Sequence, residues 1–362
     1  MPQQPSLISS KPQTVSPASP SLGPLDALLG IPGLSDIFVN SAQDIWYEAG
    51  GQLHKAPLSF ENQQAVTDFA QRLIISAGGR LDSAHPAADV QGEGGYRVHA
   101  VLPPISGNST LLSIRFQPRQ AYSLDDLQAR GMLAPETASL LLYLLAKRQN
   151  FLISGGTGSG KTTLLSALLA HCPGDERLVF VEDTPELKPA HPHCLFLRAR
   201  AANSEGQGQV DLSELIRQAL RMRPSRLILG ECRGPEVMDM LTAMNTGHAG
   251  SGSTLHANSA RAVPARLYAM ASLAGVAPQA LALQAVTALG YIIHLERVDG
   301  QRQVAEVAQL VGEGAGGLAV LSLCRQQAGR RGRGLVWQAG SEDFRAGFEG
   351  WKEETRAREN AG

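Results

Sequence analysis

The apolar positions of this chain keep one rhythm up to about residue 117 and another beyond it. Leu34 to Asn40 (LSDIFVN) and Asp44 to Leu53 (DIWYEAGGQL) read as two short strands, with Gly50 and Gly51 turning the chain. Over residues 61–77, Val66, Phe69, Ala70, Leu73 and Ile74 recur at helical spacing and define one apolar face. Tyr96 to Pro104 (YRVHAVLPP) and Thr110 to Phe116 (TLLSIRF) are strand-like again. The pattern predicts a small α+β domain over residues 25–117. Pro118 breaks the last strand, and residues 118–134 read as a linker. The linker carries a short helix, Ser123 to Gly131, in which Ser123 and Asp126 have the spacing of a helix-capping pair.

Beyond residue 135 strands and helices alternate. A helix over Pro135 to Arg148 leads into the apolar run Phe151 to Ile153, and an apolar helix follows. Leu178 to Asp183 (LVFVED), Cys194 to Arg200 (CLFLRAR) and Arg226 to Glu231 (RLILGE) read as strands, and Ser251 to Ala257 is strand-like. Between them, Asp211 to Pro224 is an amphipathic helix with Leu212, Leu215, Ile216, Ala219 and Leu220 on one face, and PEVMDMLTAMNTG is a further helix. Residues 259–290 are helical, and YIIHLERV and VAEVAQLV close the domain as a strand pair. This alternation predicts an α/β domain over residues 135–312 with a largely parallel sheet, whose active groups lie at the carboxyl ends of the strands.

Both ends of the chain break the pattern. Residues 1–24 are rich in Pro, Ser and Gln and read as disordered. Residues 313–362 form a Gly/Arg-rich tail. Its GRRGRG cluster, Gly329 to Gly334, suits a solvated linker or a surface for an acidic partner or nucleic acid. Its aromatics, Trp337, Phe344, Phe348 and Trp351, suggest a small docking element.

Composition adds limits. At 362 residues the chain is long enough for two domains, and a net charge of -1 provides no global field for nucleic acid or membrane. No direct nucleic-acid partner is expected. The four cysteines show no CxxC spacing, and His191, His193 and Cys194 match no standard zinc finger. No signal peptide is expected, and the apolar run Leu140 to Ala146 is too short to span a bilayer.

The chemistry concentrates at Gly155 to Thr162. Gly155, four residues, then Gly160, Lys161 and Thr162 have the spacing of a phosphate-binding P-loop, here between a strand and a helix. Gly155, Gly156, Thr157, Gly158, Ser159 and Gly160 would turn backbone N–H groups onto phosphate oxygens, and the helix N-terminus at Lys161, Thr162 and Thr163 adds its dipole. Lys161 would reach the outer phosphates, and the Thr162 hydroxyl would hold magnesium. The alternative is a plain glycine-rich turn. Hydrolysis also needs an oriented water and positive charge on the transition state. Glu231, ending an apolar strand, suits magnesium's water shell or the attacking water, and Glu182 ends a second strand. Each is also readable as a surface carboxylate. His248 and His256 flank a glycine-rich turn and read either as phosphate sensors or as ordinary loop histidines. Arg97, Arg115, Arg198, Arg217, Arg221, Arg223 and Arg233 stand near element ends, as phosphate ligands or as solvated arginines.

Taken together, RVHAVLPP, LLSIR, ISGGTGSGKTTLL, FVEDTPEL, ALRMRPSRLILGECRGPE and AMNTGHAGSGSTLHANS resemble the type II/IV secretion ATPase family over residues 25–312, in particular its TadA/CpaF branch of tight-adherence (Flp) pilus assembly. The resemblance implies a RecA-like P-loop ATPase domain with a smaller N-terminal α+β domain, assembled into hexameric rings. It implies ATP and Mg2+ as cofactors and a Walker A element at Gly155 to Thr162. It also implies an acidic box from Glu182 to Glu186 with Glu182 as its functional carboxylate, and Glu231 as catalytic glutamate and water-mediated magnesium ligand. His248 and His256 form its histidine box, and Arg97 and Arg115 reach the nucleotide, in one chain or across subunits. Ala249 departs from the acidic residue often found there, which loosens any polar network at His248. Cys232 places a thiol beside Glu231, with an expected sensitivity to alkylation.

The implied function is a cytoplasmic motor at the inner face of the membrane, pushing on an inner-membrane platform protein to add pilins. Conjugal DNA transfer or type IV secretion by the same engine is an alternative, and a nucleotide-binding scaffold that hydrolyses little is another.

Overall fold

A computed structural model describes residues 22–92, 95–116, 121–200, 207–314, 316–326 and 334–359. The chain divides into two compact units, Met1–Arg119 and Gln120–Gly362. The disordered reading of residues 1–21, the strand break at Pro118 and the arginines of the GRRGRG cluster fall outside the described residues. Leu22 falls within them and is fully buried in the first unit.

The first unit is a six-stranded antiparallel sheet with one long helix. Its elements are β1 (Leu34–Ser41), β2 (Asp44–Ala49), β3 (Gln52–Lys55), α1 (Gln63–Ser76), β4 (Ala87–Gly92), β5 (Tyr96–Val101) and β6 (Leu111–Phe116). The strand order is β3-β2-β1-β6-β5-β4. Asn62 caps α1 by accepting from the Ala65 N–H at 2.9 Å, and Val66, Phe69, Ala70, Leu73 and Ile74 are buried against the sheet, the same five positions that the spacing selects. Strand β4 has no counterpart in the sequence reading. Its AADVQG carries a single large apolar residue and lies at the sheet edge, where one paired neighbour suffices.

The second unit is a three-layer sandwich. Its elements are α2 (Leu124–Ala129), α3 (Pro135–Ala146), β7 (Phe151–Gly155), α4 (Lys161–Leu169), β8 (Leu178–Glu182), β9 (Cys194–Arg198), α5 (Leu212–Leu220), β10 (Arg226–Cys232), α6 (Val237–Asn245), β11 (Gly252–His256), α7 (Val263–Leu273), α8 (Pro278–Ala288), β12 (Tyr291–Val298), β13 (Gln301–Glu313), β14 (Gly317–Gln326), β15 (Leu335–Trp337) and α9 (Glu342–Glu359). The sheet order is β15-β14-β13-β12-β7-β11-β10-β8-β9. The strands from β12 through β9 are parallel, and β13 to β15 are antiparallel additions. Strands covered on both faces must be apolar throughout, as β7 and β8 are. Alternate residues serve the two layers. Leu152, Leu227 and Leu229 face α5 to α8, while Phe151, Ile153 and Ile228 face α2 to α4.

Two segments read as peripheral lie inside this unit. Residues 121–134 are more than a linker. Ser123 and Asp126 form the expected capping box, with the Ser123 hydroxyl accepting from Asp126 N at 3.1 Å, and Leu124, Leu127, Met132 and Leu133 are buried beside the P-loop helix. The tail after Gly312 continues the sheet as β14 and β15 and ends in α9. Phe348 is fully buried, and Phe344, Phe348 and Trp351 ring Tyr143 of α3 at centroid distances of 5.7–5.8 Å. Amphipathic α9 thus covers an apolar stretch of α3, which explains the tail's aromatics. Truncating a fully buried aromatic costs about 3–5 kcal/mol. Phe348→Ala is expected to lower the stability of the whole second unit by that amount in urea unfolding followed by fluorescence.

Candidate functional site

The site is built where β7, β11 and β10 end. These strands are neighbours and parallel, with Gly155 paired to His256 and Leu255 to Cys232. The P-loop, the end of β11 and the end of β10 therefore emerge on one edge of the sheet.

The loop backbone demands its glycines. Gly155, Gly158 and Gly160 have φ of 157°, 69° and 94°, a region that side chains disfavour. A Cβ on Gly155 would lie 2.6 Å from the Leu295 carbonyl oxygen and 2.7 Å from Ser159 Oγ, and one on Gly160 would lie 2.9 Å from Met132 Cε. Gly156, Thr157 and Gly158 are exposed, and Thr162 and Thr163 open α4 half-buried. Ser159 Oγ is buried with no protein partner. Lys161 is buried, its ammonium donating to the carbonyls of Gly155 at 3.1 Å and Gly156 at 3.0 Å. Burial holds its pKa below the usual lysine value, against the pull of Glu231 and Glu186.

Lys161, His256 and Glu231 form a chain. Lys161 Nζ lies 3.4 Å from His256 Nδ1, and His256 Nε2 lies 2.7 Å from Glu231 Oε1. Lysine can only donate, so Nδ1 accepts and the proton sits on Nε2, facing the carboxylate. Burial and then the Lys161 ammonium hold the His256 pKa down, so the neutral imidazole is the form that fits. Arg233 covers the other oxygen of Glu231, through Nε at 2.7 Å and through Nη2.

Glu182 sits one strand further on and behaves differently from the expectation. It is buried, and its Oε1 accepts from the N–H groups of Glu186 and Leu187, both at 2.9 Å. Burial raises its pKa. Its observed contacts shape the 183–187 turn, and that turn delivers Glu186, whose Oε2 accepts from Thr162 Oγ1 at 3.1 Å. Glu186 is thus the acidic-box residue in contact with the P-loop helix. Only its place at the end of FVEDTPE pointed to it, since the contact depends on how the turn closes.

Other expected residues stand apart from this chain of contacts. His248 precedes β11 and stands at the amino end of the parallel strands, opposite the P-loop, with Nδ1 3.1 Å from the Ala243 carbonyl of α6. A strand separates it from His256, and parallel strands carry their functional groups at one end only. Cys232 is buried facing the α6 layer, away from Glu231, and burial raises its pKa well above the ordinary thiol value. The register of β10 against β11 shifts between Leu229 and Cys232, and Cys232 enters the same apolar layer as Leu227 and Leu229. Arg97 and Arg115 lie in the first unit, paired across β5 and β6. There Arg97 makes a two-pronged contact with Asp89 at 2.7 and 2.6 Å, and Arg115 Nε is 3.0 Å from Asp36.

The residues present fit a nucleotide with magnesium. The cradle has no room for a Cβ at Gly155 or Gly160, the orphaned Ser159 hydroxyl is available to an anion, and the Thr162 hydroxyl and Glu186 carboxylate are hard oxygen donors. Among the described residues no group of three or more His, Cys, Asp and Glu side chains is arranged to hold a metal ion. Magnesium shared with substrate phosphates and water needs no such cage.

With the site on the page, comparison with known proteins is informative. Residues 19–338 match the family model for type II/IV secretion system proteins. The chain belongs to the type II/IV secretion system protein family. It is 43% identical over 324 residues to a putative conjugal transfer protein of Mycobacterium tuberculosis H37Rv, covering 88% of each chain. It is 28% identical over 287 residues to the type IV secretion system protein VirB11 of Bartonella quintana, covering 69% of this chain and 80% of that one. Among solved structures, the Legionella pneumophila ATPase DotB aligns with a TM-score of 0.53 at 20% identity, covering 77% of each chain. The fold is accordingly the RecA-like P-loop type with an N-terminal domain. No helix among the described residues is long and apolar enough to cross a membrane.

Two predictions follow from the side-chain environments. All four thiols are free and held above the usual pKa by burial, Cys172 at about 11 and Cys324 at about 12. Only Cys194 is more than marginally exposed. Iodoacetamide is expected to label Cys194 in the native protein and to reach Cys232 only after unfolding, as read by mass spectrometry. His256 and the buried His294, whose Nδ1 is 2.9 Å from Ser154 Oγ, both have pKa values held below 6.5, chiefly by burial. The unfolded chain therefore binds protons that the folded chain refuses, so their contribution is complete above pH 6.5 and declines as the pH drops towards the folded values. The urea midpoint should fall between about pH 7 and about pH 5.5, and His294→Gln should shallow that fall.

Proposed function

We propose that this protein is an ATP-hydrolysing motor of a macromolecular export or pilus-assembly machine. The observation that carries the reading is the chain Lys161–His256–Glu231 across the P-loop and two neighbouring strand ends. A phosphate cradle alone binds nucleotide; a carboxylate on the adjoining strand end, oriented by a neutral histidine, adds the means to align and deprotonate a water.

In this reading the backbone N–H groups of Gly156 to Lys161 and the α4 dipole bind the phosphates, and Lys161 spreads positive charge over the transferring phosphoryl group. Thr162, with Glu186 beside it and Glu231 through water, would hold Mg2+, which when bound neutralises charge on the β- and γ-phosphates. Glu231 orients the attacking water, and His256 holds that carboxylate in place. Arg97 and Arg115 of the first unit are proposed to complete the site, from the same chain or from a neighbour in a homo-oligomeric, hexameric ring. Hydrolysis would then change the angle between the two units and push on a membrane platform protein from the cytoplasmic side.

The setting has two candidate forms. The motif set quoted above supports a Flp-type, TadA/CpaF-like pilus machine. The names of the M. tuberculosis and B. quintana relatives support conjugal transfer or type IV secretion with the same engine.

Steady-state turnover against protein concentration tests the reading. Wild-type activity should rise more than linearly, as expected for sites completed by a neighbour. Lys161→Ala should abolish nucleotide binding, and Glu231→Gln should retain binding while losing about 10²- to 10⁴-fold in rate. Tight ATP binding with negligible turnover in wild type, and no change in Glu231→Gln, would instead identify a nucleotide-binding scaffold.

A further inference from the structure

Arg233 holds the carboxylate that the reaction needs. Its Nε and Nη2 lie on Glu231 Oε2, while His256 Nε2 lies 2.7 Å from Oε1. Oε2 is held by a permanent cation, while the buried Oε1 makes no hydrogen bond and has His256 Nε2 close by. A carboxylate so held is a poorer partner for a water proton, because the guanidinium stabilises its charged form and occupies the lone pairs of Oε2. Arg233 Nη1 also faces Asp183 Oδ2 at 3.7 Å, at the end of the next strand.

Stability does not explain this clasp. The Arg233 side chain is 54% exposed, and ion pairs of such exposure contribute little to folding. The backbone beneath it, by contrast, is pinned. Buried Glu236 accepts from the N–H of Arg233 at 2.7 Å and of Gly234 at 2.8 Å. The stem is fixed, and the head lies at the solvent-facing side of the site. Arg233 lies close enough to the P-loop ammonium to help lower its pKa, and Glu186 is among the acids that favour the charged guanidinium.

We propose that Arg233 is a γ-phosphate-reading residue that exchanges Glu231 for the terminal phosphate of ATP. The inference rests on the ATPase reading of the site. A terminal phosphate presents several charged oxygens to the guanidinium fork and competes with a single carboxylate oxygen for it. When the fork transfers, Glu231 is released on one side to accept a water's hydrogen bond, while His256 still orients it on the other. ADP lacks the terminal phosphate and leaves the clasp closed. Arg233 thus couples recognition of ATP to release of the base, and its two-residue separation from Glu231 on one pinned turn is what makes the exchange short.

The test is equilibrium displacement of a fluorescent ADP analogue from the full chain by unlabelled ATP and by ADP, for wild type, Arg233→Ala and Arg233→Lys. Arg233→Ala should lose ATP affinity by about ten- to a hundredfold, the range of a charge-assisted contact, with ADP affinity unchanged. Arg233→Lys should restore part of the ATP preference, since it keeps the charge without the fork. An unchanged ATP-to-ADP ratio in Arg233→Ala overturns the inference and leaves the ATPase reading standing. Equal loss of both nucleotides also overturns it, since Arg233 would then support the loop as a whole. Failure of the wild-type chain to bind either nucleotide overturns the proposed function and the inference together.

Discussion

Lys161 carries a positive charge into a buried place, and the arrangement around it follows from keeping that charge there. The ammonium is held by the carbonyls of Gly155 and Gly156 and touches His256. The loop that presents those carbonyls turns at Gly155, Gly158 and Gly160, which take backbone angles that side chains disfavour. The histidine accepts from the lysine, which sets its tautomer and leaves the Nε2 proton 2.7 Å from Glu231 Oε1. A single buried cation therefore orders a loop, a ring and an acid that come from three strands.

The sheet makes that order possible. Parallel strands covered on both faces send alternate residues into two separate apolar layers, one under α5 to α8 and one under α2 to α4. With the side chains committed to packing, the strand ends are left to carry polar groups. Glu182, Glu231 and His256 are all the last or next-to-last residues of their strands. Cys232 shows the same rule from the other side. One position past Glu231, it turns into the apolar layer and is an inert thiol rather than a neighbour of the chemistry.

Much of this was legible in the chain. The P-loop, the apolar strands, the capping box at Ser123 and the buried face of α1 are local patterns, and the structure shows each where the spacing placed it. Glu231 and His256 were also readable, as an acid ending an apolar run and a histidine ending another. Less legible were the segments that look weak in isolation. Strand β4 has almost no apolar signal. The residues around α2 read as a linker because Leu124 and Leu127 are only two positions, yet they are buried against the P-loop helix. The aromatic tail read as an appendage because its partner, Tyr143, lies about two hundred residues earlier in the chain.

By itself the sequence determined which segments form most of the strands and helices, that one loop has the spacing of a phosphate cradle, and which residue types stand near it, because all of these depend on near neighbours along the chain. Tertiary structure decided which of those residues meet. It separated His248 from His256 by the length of a strand, gave Glu182 a turn to hold and Glu186 the contact with Thr162, and brought Arg233 onto Glu231. The reason is that strand order and register in a parallel sheet are set by packing between distant segments, and a shift of one residue or one strand end moves a side chain to the opposite face or the opposite edge.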